Sequence, residues 1–179
     1  VTDYVLYDPW TVPNQPPVAN AGPDQTVEQT SAAGTQVTLD GSGSSDPDKD
    51  PLTYTWREYG NVIAGPIPEP TVQVTLPLGD HVIELTVEDP RGEKGTDTVT
   101  LHVKDTTPPT LHVPDNITGV EQTCAGGTYV NYTVTATDIC DANPQVACDP
   151  PSGTEFQLGT HTVKCTASDA SGNTAEATF

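Results

Sequence analysis

The chain has 179 residues, with 25 acidic side chains against 6 basic ones and a formal net charge of −19. Such a charge repels nucleic acid and anionic membranes but attracts divalent cations, so neither nucleic acid binding nor membrane insertion is expected. With 18 Pro, 15 Gly, abundant Thr and Val and no amphipathic helical stretch, the composition predicts an all-β protein rich in turns.

A fifteen-residue stretch occurs twice, as LGDHVIELTVEDPRG at 78–92 and as LGTHTVKCTASDASG at 158–172. At a constant offset of 80 the two copies share six positions. In each copy a Leu-Gly turn leads into an alternating strand that ends at an acidic loop. The repeat therefore predicts two tandem domains of one architecture.

Proline pairs mark the predicted boundaries, because they force extended backbone. Residues 1–13 are expected to be an N-terminal extension or linker, 14–104 the first domain and 105–179 the second. The abrupt start and the stop within a predicted strand suggest a mature or excised segment of a longer secreted protein.

Short alternating runs between turn residues predict the strands of both domains, a number typical of β-sandwiches. Trp56 falls on an inward position and is expected to be the largest core anchor of the first domain. The first domain is expected to contain strands at Gln25–Glu28, Gln36–Asp40, Leu52–Glu58, Val72–Leu76, His81–Glu88 and Asp97–Val103. The second is expected to contain Leu111–Val113, Ile117–Glu121, Tyr129–Thr137, Gln145–Cys148, His161–Ala167 and Thr174–Phe179.

Two family resemblances cover most of the chain. NQPPVANAGPDQTV, LDGSGSSDPDKDPLTYTW and LGDHVIELTVEDPRG together resemble a PKD (polycystic-kidney-disease-type) domain, although the usual WxFGDG segment is replaced by WREYG. DTTPPTL, TVTATDICD and CDPPSGTEFQLGTHTVKCTASDASGNTA resemble a HYR (hyalin repeat) domain whose last strand is incomplete. These resemblances imply two tandem immunoglobulin-like β-sandwiches that are extracellular, mostly non-catalytic, and used as spacers, adhesion units or accessory modules.

Three carboxylates and two amide residues are expected to meet at one end of the first domain. Hard oxygen ligands of this kind suit Ca²⁺, and a divalent ion would relieve the repulsion between the carboxylates. The resemblance supports calcium, because some PKD domains of bacterial collagenases bind it at matching positions. The alternative is a solvated acidic loop that uses Asp and Pro to form turns. The predicted ligands are Asn14, Gln15, Asp46, Asp48 and Asp89, with Asp50 as a substitute for either loop ligand.

A second, weaker calcium site is predicted at the corresponding end of the second domain. Its residues are Asp105, Asp138 and Asp169, with Asp141 and Asn173 nearby. Turn formation and strand termination are stronger alternative roles for Asp138 and Asp169.

Four cysteines after residue 120 suggest disulfides and an oxidising, extracellular compartment. Cys165 takes the inward position of Leu85 in the repeat, and Cys148 lies on the neighbouring predicted strand. Their pairing also matches a recurrent HYR pattern. Cys124 and Cys140 remain as a second pair, but the strand between them would span on the order of 30 Å, too far unless the Cys140 loop folds back. The spacing does not favour zinc.

No arrangement of residues predicts catalysis. The Ser/His/Asp order, GxSxG and HExxH are absent from the sequence. His81 and His161 are equivalent repeat positions, for which packing is the expected role. Asn116 and Asn131 are candidate glycosylation sites because each begins an Asn-x-Thr sequon.

The sequence therefore predicts a calcium-stabilised, non-catalytic extracellular spacer or adhesion segment of a larger secreted or cell-surface protein, with protein or glycan partners. One alternative is a module of a secreted enzyme that binds glycan or protein through exposed aromatics such as Trp10 and Tyr59. Another is a homo-oligomer or filament, in which the segment VTDYVLYD and the last strand complement one another between copies.

Overall fold

The structure is a computed structural model that describes residues 13–122 and 126–179. Every regular element in these ranges is a β-strand, which confirms the all-β prediction. Within the described ranges no helix is long and apolar enough to cross a membrane. The chain divides into two compact units, whose described parts are 13–27 with 36–103, and 28–35 with 104–122 and 126–179.

The described part of the first unit contains seven strands in two sheets. Strands β1, β7, β6, β3 and β4 form a five-stranded sheet in that order, and β2 pairs with β5. The strands are β1 (Gln25–Glu28), β2 (Thr35–Asp40), β3 (Thr53–Glu58), β4 (Asn61–Ile67), β5 (Thr71–Leu76), β6 (Gly79–Glu88) and β7 (Lys94–Lys104).

Both sheets contribute side chains to one core, because buried and exposed positions alternate along the strands. In β2, and in β6 from His81 onward, every second residue is buried. Trp56 on β3 is fully buried in this core, as predicted. It lies among Leu39 and Val37 of β2, Ile83 and Leu85 of β6, and Val99 and Leu101 of β7.

The described part of the second unit also has seven strands, most of them shorter. Its sheets are β11-β13-β14, β10-β8 and β12-β9. The strands are β8 (Thr110–His112), β9 (Thr128–Val130), β10 (Thr135–Thr137), β11 (Gln145–Asp149), β12 (Thr154–Phe156), β13 (Lys164–Ser168) and β14 (Thr174–Thr178). Among the described residues of this unit, the buried apolar side chains are those of Val163, Cys165 and Ala167.

Several predicted strands differ from the observed ones. β4 was not predicted, because its Gly65-Pro66 step reads as a turn, yet a proline is tolerated on the edge strand of a sheet. The short β12 was missed as well. The long strand predicted over Tyr129–Thr137 is interrupted and forms β9 and β10. No strand forms at Ile117–Glu121.

Candidate metal centre

The loop between β2 and β3 of the first unit is folded around one carboxylate. Asp46 Oδ1 accepts hydrogen bonds from the backbone N–H groups of Asp48, at 2.8 Å, and Asp50, at 3.1 Å. Such side-chain-to-backbone turns are typical of Asp in loops. The turn brings three acidic residues close together and leaves the second oxygen of Asp46 free for another partner.

Two residues from the start of the first unit connect to the loops that contain the predicted ligands. Asn14 Nδ2 donates to Asp89 Oδ2 at 2.7 Å. The Gln15 backbone N–H donates to Asp48 Oδ2 at 2.7 Å, and Gln15 Nε2 donates to Asp48 Oδ1 at 3.4 Å. The segment that precedes β1 is therefore joined to the loop after β2 and to the loop after β6, as the sequence suggested.

Asp89 organises the turn that follows β6. It is only 4% exposed, and its Oδ1 accepts from the backbone N–H groups of Arg91, at 2.7 Å, and Glu93, at 3.0 Å. Burial by itself would raise the pKa of Asp89, but hydrogen bonds from Asn14 and these amides outweigh burial and lower the pKa. Asp89 is therefore a carboxylate held in its charged form by the fold.

Among the described residues, three buried oxygens in these loops have no hydrogen-bond donor. They are Asn14 Oδ1, Asp46 Oδ2 and Asp50 Oδ2. All three are acceptors only, and a buried acceptor without a partner is costly. Arg91 Nε lies 3.9 Å from Asp50 Oδ2 and offsets part of the charge there without a hydrogen bond. These oxygens have the chemistry of hard calcium ligands, although within the described ranges no three carboxylates of these loops have oxygens within 4.8 Å of one another.

The unpartnered oxygens change the predicted ligand set. Both oxygens of Asp48 and both oxygens of Asp89 already accept hydrogen bonds. The sequence named Asp50 only as a substitute, but Asp50 has one of the unpartnered oxygens. This distinction depends on the donors that surround each carboxylate, so the sequence pattern contains no signal for it.

A second acidic group lies in the second unit. Ligand atoms of Asp105, Asp138 and Cys140 all lie within 4.8 Å of one another, the one such trio of acidic, His or Cys side chains in the described ranges. Asp138 Oδ1 accepts from the backbone N–H groups of Cys140, at 2.8 Å, and Asp141, at 2.7 Å. Its Oδ2 is buried and has no hydrogen-bond partner in the part of the chain that the structure describes.

Asp169 lies outside this trio and organises a turn instead. Its Oδ1 accepts from the Asn173 backbone N–H and its Oδ2 accepts from Asn173 Nδ2, each at 2.8 Å. Burial would raise the pKa of Asp169, but these hydrogen bonds and those of neighbouring amides lower it. Asp141 Oδ2 accepts from the Ala170 backbone N–H at 2.9 Å, which links the two loops.

Cys140 is a free cysteine, so it is not joined to Cys124, which itself lies outside the described residues. Its Sγ donates to the backbone carbonyl of Gln29 at 3.3 Å. Burial raises the pKa of the Cys140 thiol, and the charges of Asp105 and Asp138 raise it further. The group therefore offers two carboxylates and a neutral thiol, a poor ligand compared with a thiolate.

Cys148 and Cys165 form a disulfide across the paired strands β11 and β13. The two residues are direct partners in the antiparallel register, with Cα atoms 4.0 Å apart. Cys165 is fully buried, as expected from its alignment with Leu85.

The remaining predicted residues lie apart from these groups. His81 is buried, and its ring nitrogens contact Glu58 Oε1 and the Pro77 carbonyl. His161 is exposed and its ring packs against Phe156. Both sequon residues, Asn116 and Asn131, are exposed. Tyr59 is 80% exposed between β3 and β4, whereas Trp10 lies outside the described residues.

Two family models match parts of the chain. Residues 104–179 match the model of the HYR domain. Residues 36–113 match the model of the C-terminal domain of the cellulose-binding protein Sde0182, and this match falls where the sequence resembles a PKD domain.

The curated relatives include two proteins named hyalin. The one from Strongylocentrotus purpuratus is 35% identical over 104 residues, which is 56% of this chain and 9% of that protein. The one from Lytechinus variegatus is 36% identical over 108 residues, which is 58% of this chain and 20% of that protein. The chain thus spans a fifth or less of these relatives.

Among the solved structures that this chain matches is the PKD domain of the KIAA 1837 protein. It is 27% identical with a TM-score of 0.40, and the match covers 55% of this chain and 96% of that one. A nucleoside hydrolase-related protein from Saccharophagus degradans is 28% identical with a TM-score of 0.39, covering 51% of this chain and 26% of that one. By sequence, residues 104–179 of this chain are similar to the HYR domain, and the chain is similar to part of hyalin.

Proposed function

We propose that the chain is a non-catalytic extracellular segment of a larger protein, in which two immunoglobulin-like sandwich units are stabilised by calcium and serve as a spacer or adhesion segment. The similarity to the HYR domain and to hyalin supports the extracellular adhesion role. Calcium binding is supported by three buried side-chain oxygens, in Asn14, Asp46 and Asp50, that have no hydrogen-bond donor among the described residues.

Calcium would act on the stability of the first unit. The Asn14 side chain donates to Asp89 through Nδ2 while its Oδ1 has no donor, so one amide can serve both the loop and an ion. An ion shared with Asp46 and Asp50 would also offset the repulsion between these carboxylates. Binding that favours the folded state raises the free energy of unfolding by about 1.4 kcal/mol at ten times Kd.

The second unit has a weaker case for a calcium site. Asp138 Oδ2 is buried and unpartnered, and a carboxylate oxygen of Asp105 lies within 4.8 Å of an oxygen of Asp138. Both oxygens of Asp169 accept hydrogen bonds from Asn173, so we assign Asp169 to the turn. The oxygens of Asp105 accept from Thr107 and Ser171, but Asp105 lies within 4.8 Å of Asp138, so we propose Asp138 with Asp105 as the ligands.

The experiment is thermal unfolding of the 179-residue chain in ~2 mM CaCl₂ and in excess chelator, because calcium sites of extracellular modules have Kd values of about 0.1–1 mM. We expect chelator to lower Tm by several degrees, since about 1 kcal/mol corresponds to roughly 4–8 °C for a unit of this size. The double variant Asp46→Asn with Asp50→Asn should abolish the part of the calcium response that comes from the first unit.

A charge-matched control is Glu69→Gln with Glu84→Gln, which removes two exposed negative charges from the same unit and should keep the full response. An identical melt in calcium and in chelator for the wild-type chain would refute calcium stabilisation. If the Asp46/Asp50 variant and the Glu69/Glu84 variant keep the same calcium-dependent change in Tm, the ion binds at another position.

A second candidate function is an accessory module that binds glycan or protein. The match of residues 36–113 to a domain of a cellulose-binding protein favours this role, and the exposed Tyr59 ring offers an apolar face for stacking on a sugar. Affinity electrophoresis on cellulose and other neutral glycans tests it, with Tyr59→Ser expected to lose any retardation. Retardation that survives Tyr59→Ser would assign binding to another surface.

Assembly into a filament through strand exchange between copies stays a further alternative. The segment VTDYVLYD at residues 1–8 lies outside the described residues. Size-exclusion chromatography across a range of concentrations separates a filament from a monomeric spacer.

A further inference from the structure

The fold of the second unit brings a cysteine into contact range of two carboxylates that are far apart in the sequence. One ligand atom each from Asp105, Asp138 and Cys140 lies within 4.8 Å of the other two. Tetrahedral zinc sites hold sulfur at about 2.3 Å and oxygen at about 2.1 Å from the ion, so neighbouring ligand atoms are roughly 3.5 Å apart. The three atoms therefore need to close by no more than on the order of 1 Å to surround such an ion.

Asp138 contributes an oxygen that turn formation does not explain. Its Oδ1 accepts from the backbone N–H groups of Cys140 and Asp141, which accounts for the shape of the loop. Its Oδ2 is buried and has no hydrogen-bond partner within the described ranges. A buried carboxylate oxygen without a donor or a cation is costly, so the position of Oδ2 favours a cation as its partner.

Asp105 is buried, and two hydrogen bonds hold its carboxylate in place. The residue is 7% exposed, its Oδ2 accepts from the Ser171 hydroxyl at 2.9 Å, and its Oδ1 accepts from the Thr107 backbone N–H at 3.2 Å. Each carboxylate oxygen has two lone pairs, so both oxygens can still bind an ion. Hydrogen bonds of this kind orient the ligands of metal sites.

Cys140 decides which class of ion the site suits. It is a free cysteine, and its Sγ lies 3.3 Å from the backbone carbonyl oxygen of Gln29, which is the nearest candidate for a fourth ligand. Calcium takes about six to eight oxygens and gains little from sulfur, whereas zinc takes about four ligands that include sulfur and carboxylate. The small number of donors and the sulfur therefore favour a borderline-soft ion over calcium.

We infer that Asp105, Asp138 and Cys140 bind a divalent ion of the zinc class. As the sulfur–metal bond forms, the S–H proton leaves to solvent, so the step releases a proton and transfers no electron. The ion offsets the repulsion between the thiolate and the two carboxylates. As in the proposed function, Asp105 and Asp138 are ligands, so the site rests on that assignment, but the sulfur selects an ion other than calcium.

The probe is Co²⁺, which occupies zinc sites and absorbs strongly when a thiolate is one of its ligands. Titration of the 179-residue chain should give a saturable sulfur-to-cobalt charge-transfer band. Zn²⁺ should remove this band because it binds such ligands more tightly than Co²⁺, whereas Ca²⁺ at about 2 mM should leave it unchanged. Cys140→Ser should abolish the band, and Asp138→Asn should weaken cobalt binding by about tenfold or more.

Two control variants leave the three ligands in place. Cys124→Ser removes another cysteine, and Asp115→Asn removes an exposed carboxylate of the same unit, so both should keep the band and its Kd. Cobalt binding without the band, a band that survives Cys140→Ser, or equal weakening by Asp115→Asn and Asp138→Asn overturns the inference.

A measurement on the unaltered chain covers variants that do not fold. Zn²⁺ should slow alkylation of the Cys140 thiol, measured by mass spectrometry of the peptide that contains it, and an unchanged rate overturns the inference. The outcome is separable from calcium stabilisation. A Cys140-dependent band without any calcium-dependent change in Tm refutes calcium alone, and the opposite result refutes the zinc-class site alone.

Discussion

Leu85 on β6 lies directly opposite Trp56 on β3, and both side chains are fully buried. In the second unit the residue equivalent to Leu85 is Cys165, which lies directly opposite Cys148 on the paired strand β11. One cross-strand pair at the centre of a sheet is thus apolar in the first unit and covalent in the second. The second unit, with its few buried apolar side chains, is the one that has the disulfide, as expected when a small core needs a covalent link.

The Leu85–Trp56 pair predicts a large loss of stability when Leu85 is truncated. Leu85→Ala should lower the free energy of unfolding by about 2–5 kcal/mol, because it leaves a cavity beside Trp56. The measurement is urea denaturation followed by tryptophan fluorescence. Val82→Ala is the control, since Val82 lies on the same strand but half of its surface is exposed, and it should change stability by less than about 0.5 kcal/mol. Equal losses in the two variants would contradict this packing.

The disulfide predicts a loss confined to the second unit. Cys148 and Cys165 are separated by 17 residues, for which loop-closure entropy gives about 3 kcal/mol of stabilisation. The double variant Cys148→Ala with Cys165→Ala should therefore speed hydrogen exchange in β11, β13 and β14. Segments of the first unit should exchange as before.

Cys140→Ala is the control for the disulfide, because Cys140 is a free thiol. It should preserve the slow exchange of β13. A Cys140→Ala variant that exchanges as fast as the double variant would show that loss of a thiol, rather than loss of the cross-link, causes the effect.

The lowered pKa of Asp89 predicts sensitivity to acid. A carboxyl whose pKa is lower in the folded state stabilises the fold above its unfolded pKa of about 3.9, and this contribution is lost as pH falls through the folded pKa. The pKa of Asp169 is also lowered in the folded state, so its stabilising contribution is lost in the same direction, as pH falls. In chelator, so that calcium does not contribute, Tm should therefore fall below about pH 4, and Asp89→Asn should flatten this dependence while lowering Tm at neutral pH.

The control for the acid experiment is Glu69→Gln, which neutralises an exposed carboxylate without hydrogen-bond partners in the described ranges. It should keep the wild-type dependence on pH. An Asp89→Asn variant whose Tm falls as steeply with acid as that of the wild-type chain would show that the hydrogen bonds to Asp89 do not contribute to stability.

The sequence was enough to predict which residues of the candidate metal centre lie together, but not which of their oxygens lack a hydrogen-bond donor. The clustering of Asp46, Asp48 and Asp50 in one loop, and the position of Asp89 after a strand, are visible in the sequence. Which oxygens stay unpartnered is decided by donors far along the chain, such as Asn14, which is 75 positions from Asp89. Similarly, the trio of Asp105, Asp138 and Cys140 has no regular spacing that would have included the cysteine.

The sequence by itself determined the all-β class, the repeat and the inward residues of the central strands, such as Trp56 and Leu85. Those features follow from alternation with a period of two and from local turn chemistry, which neighbouring residues specify. The tertiary structure alone decided that Ile117–Glu121 forms no strand. The sequence favours an extended backbone there, but a strand also needs a partner for its backbone hydrogen bonds, and the partner is set by contacts distant in sequence.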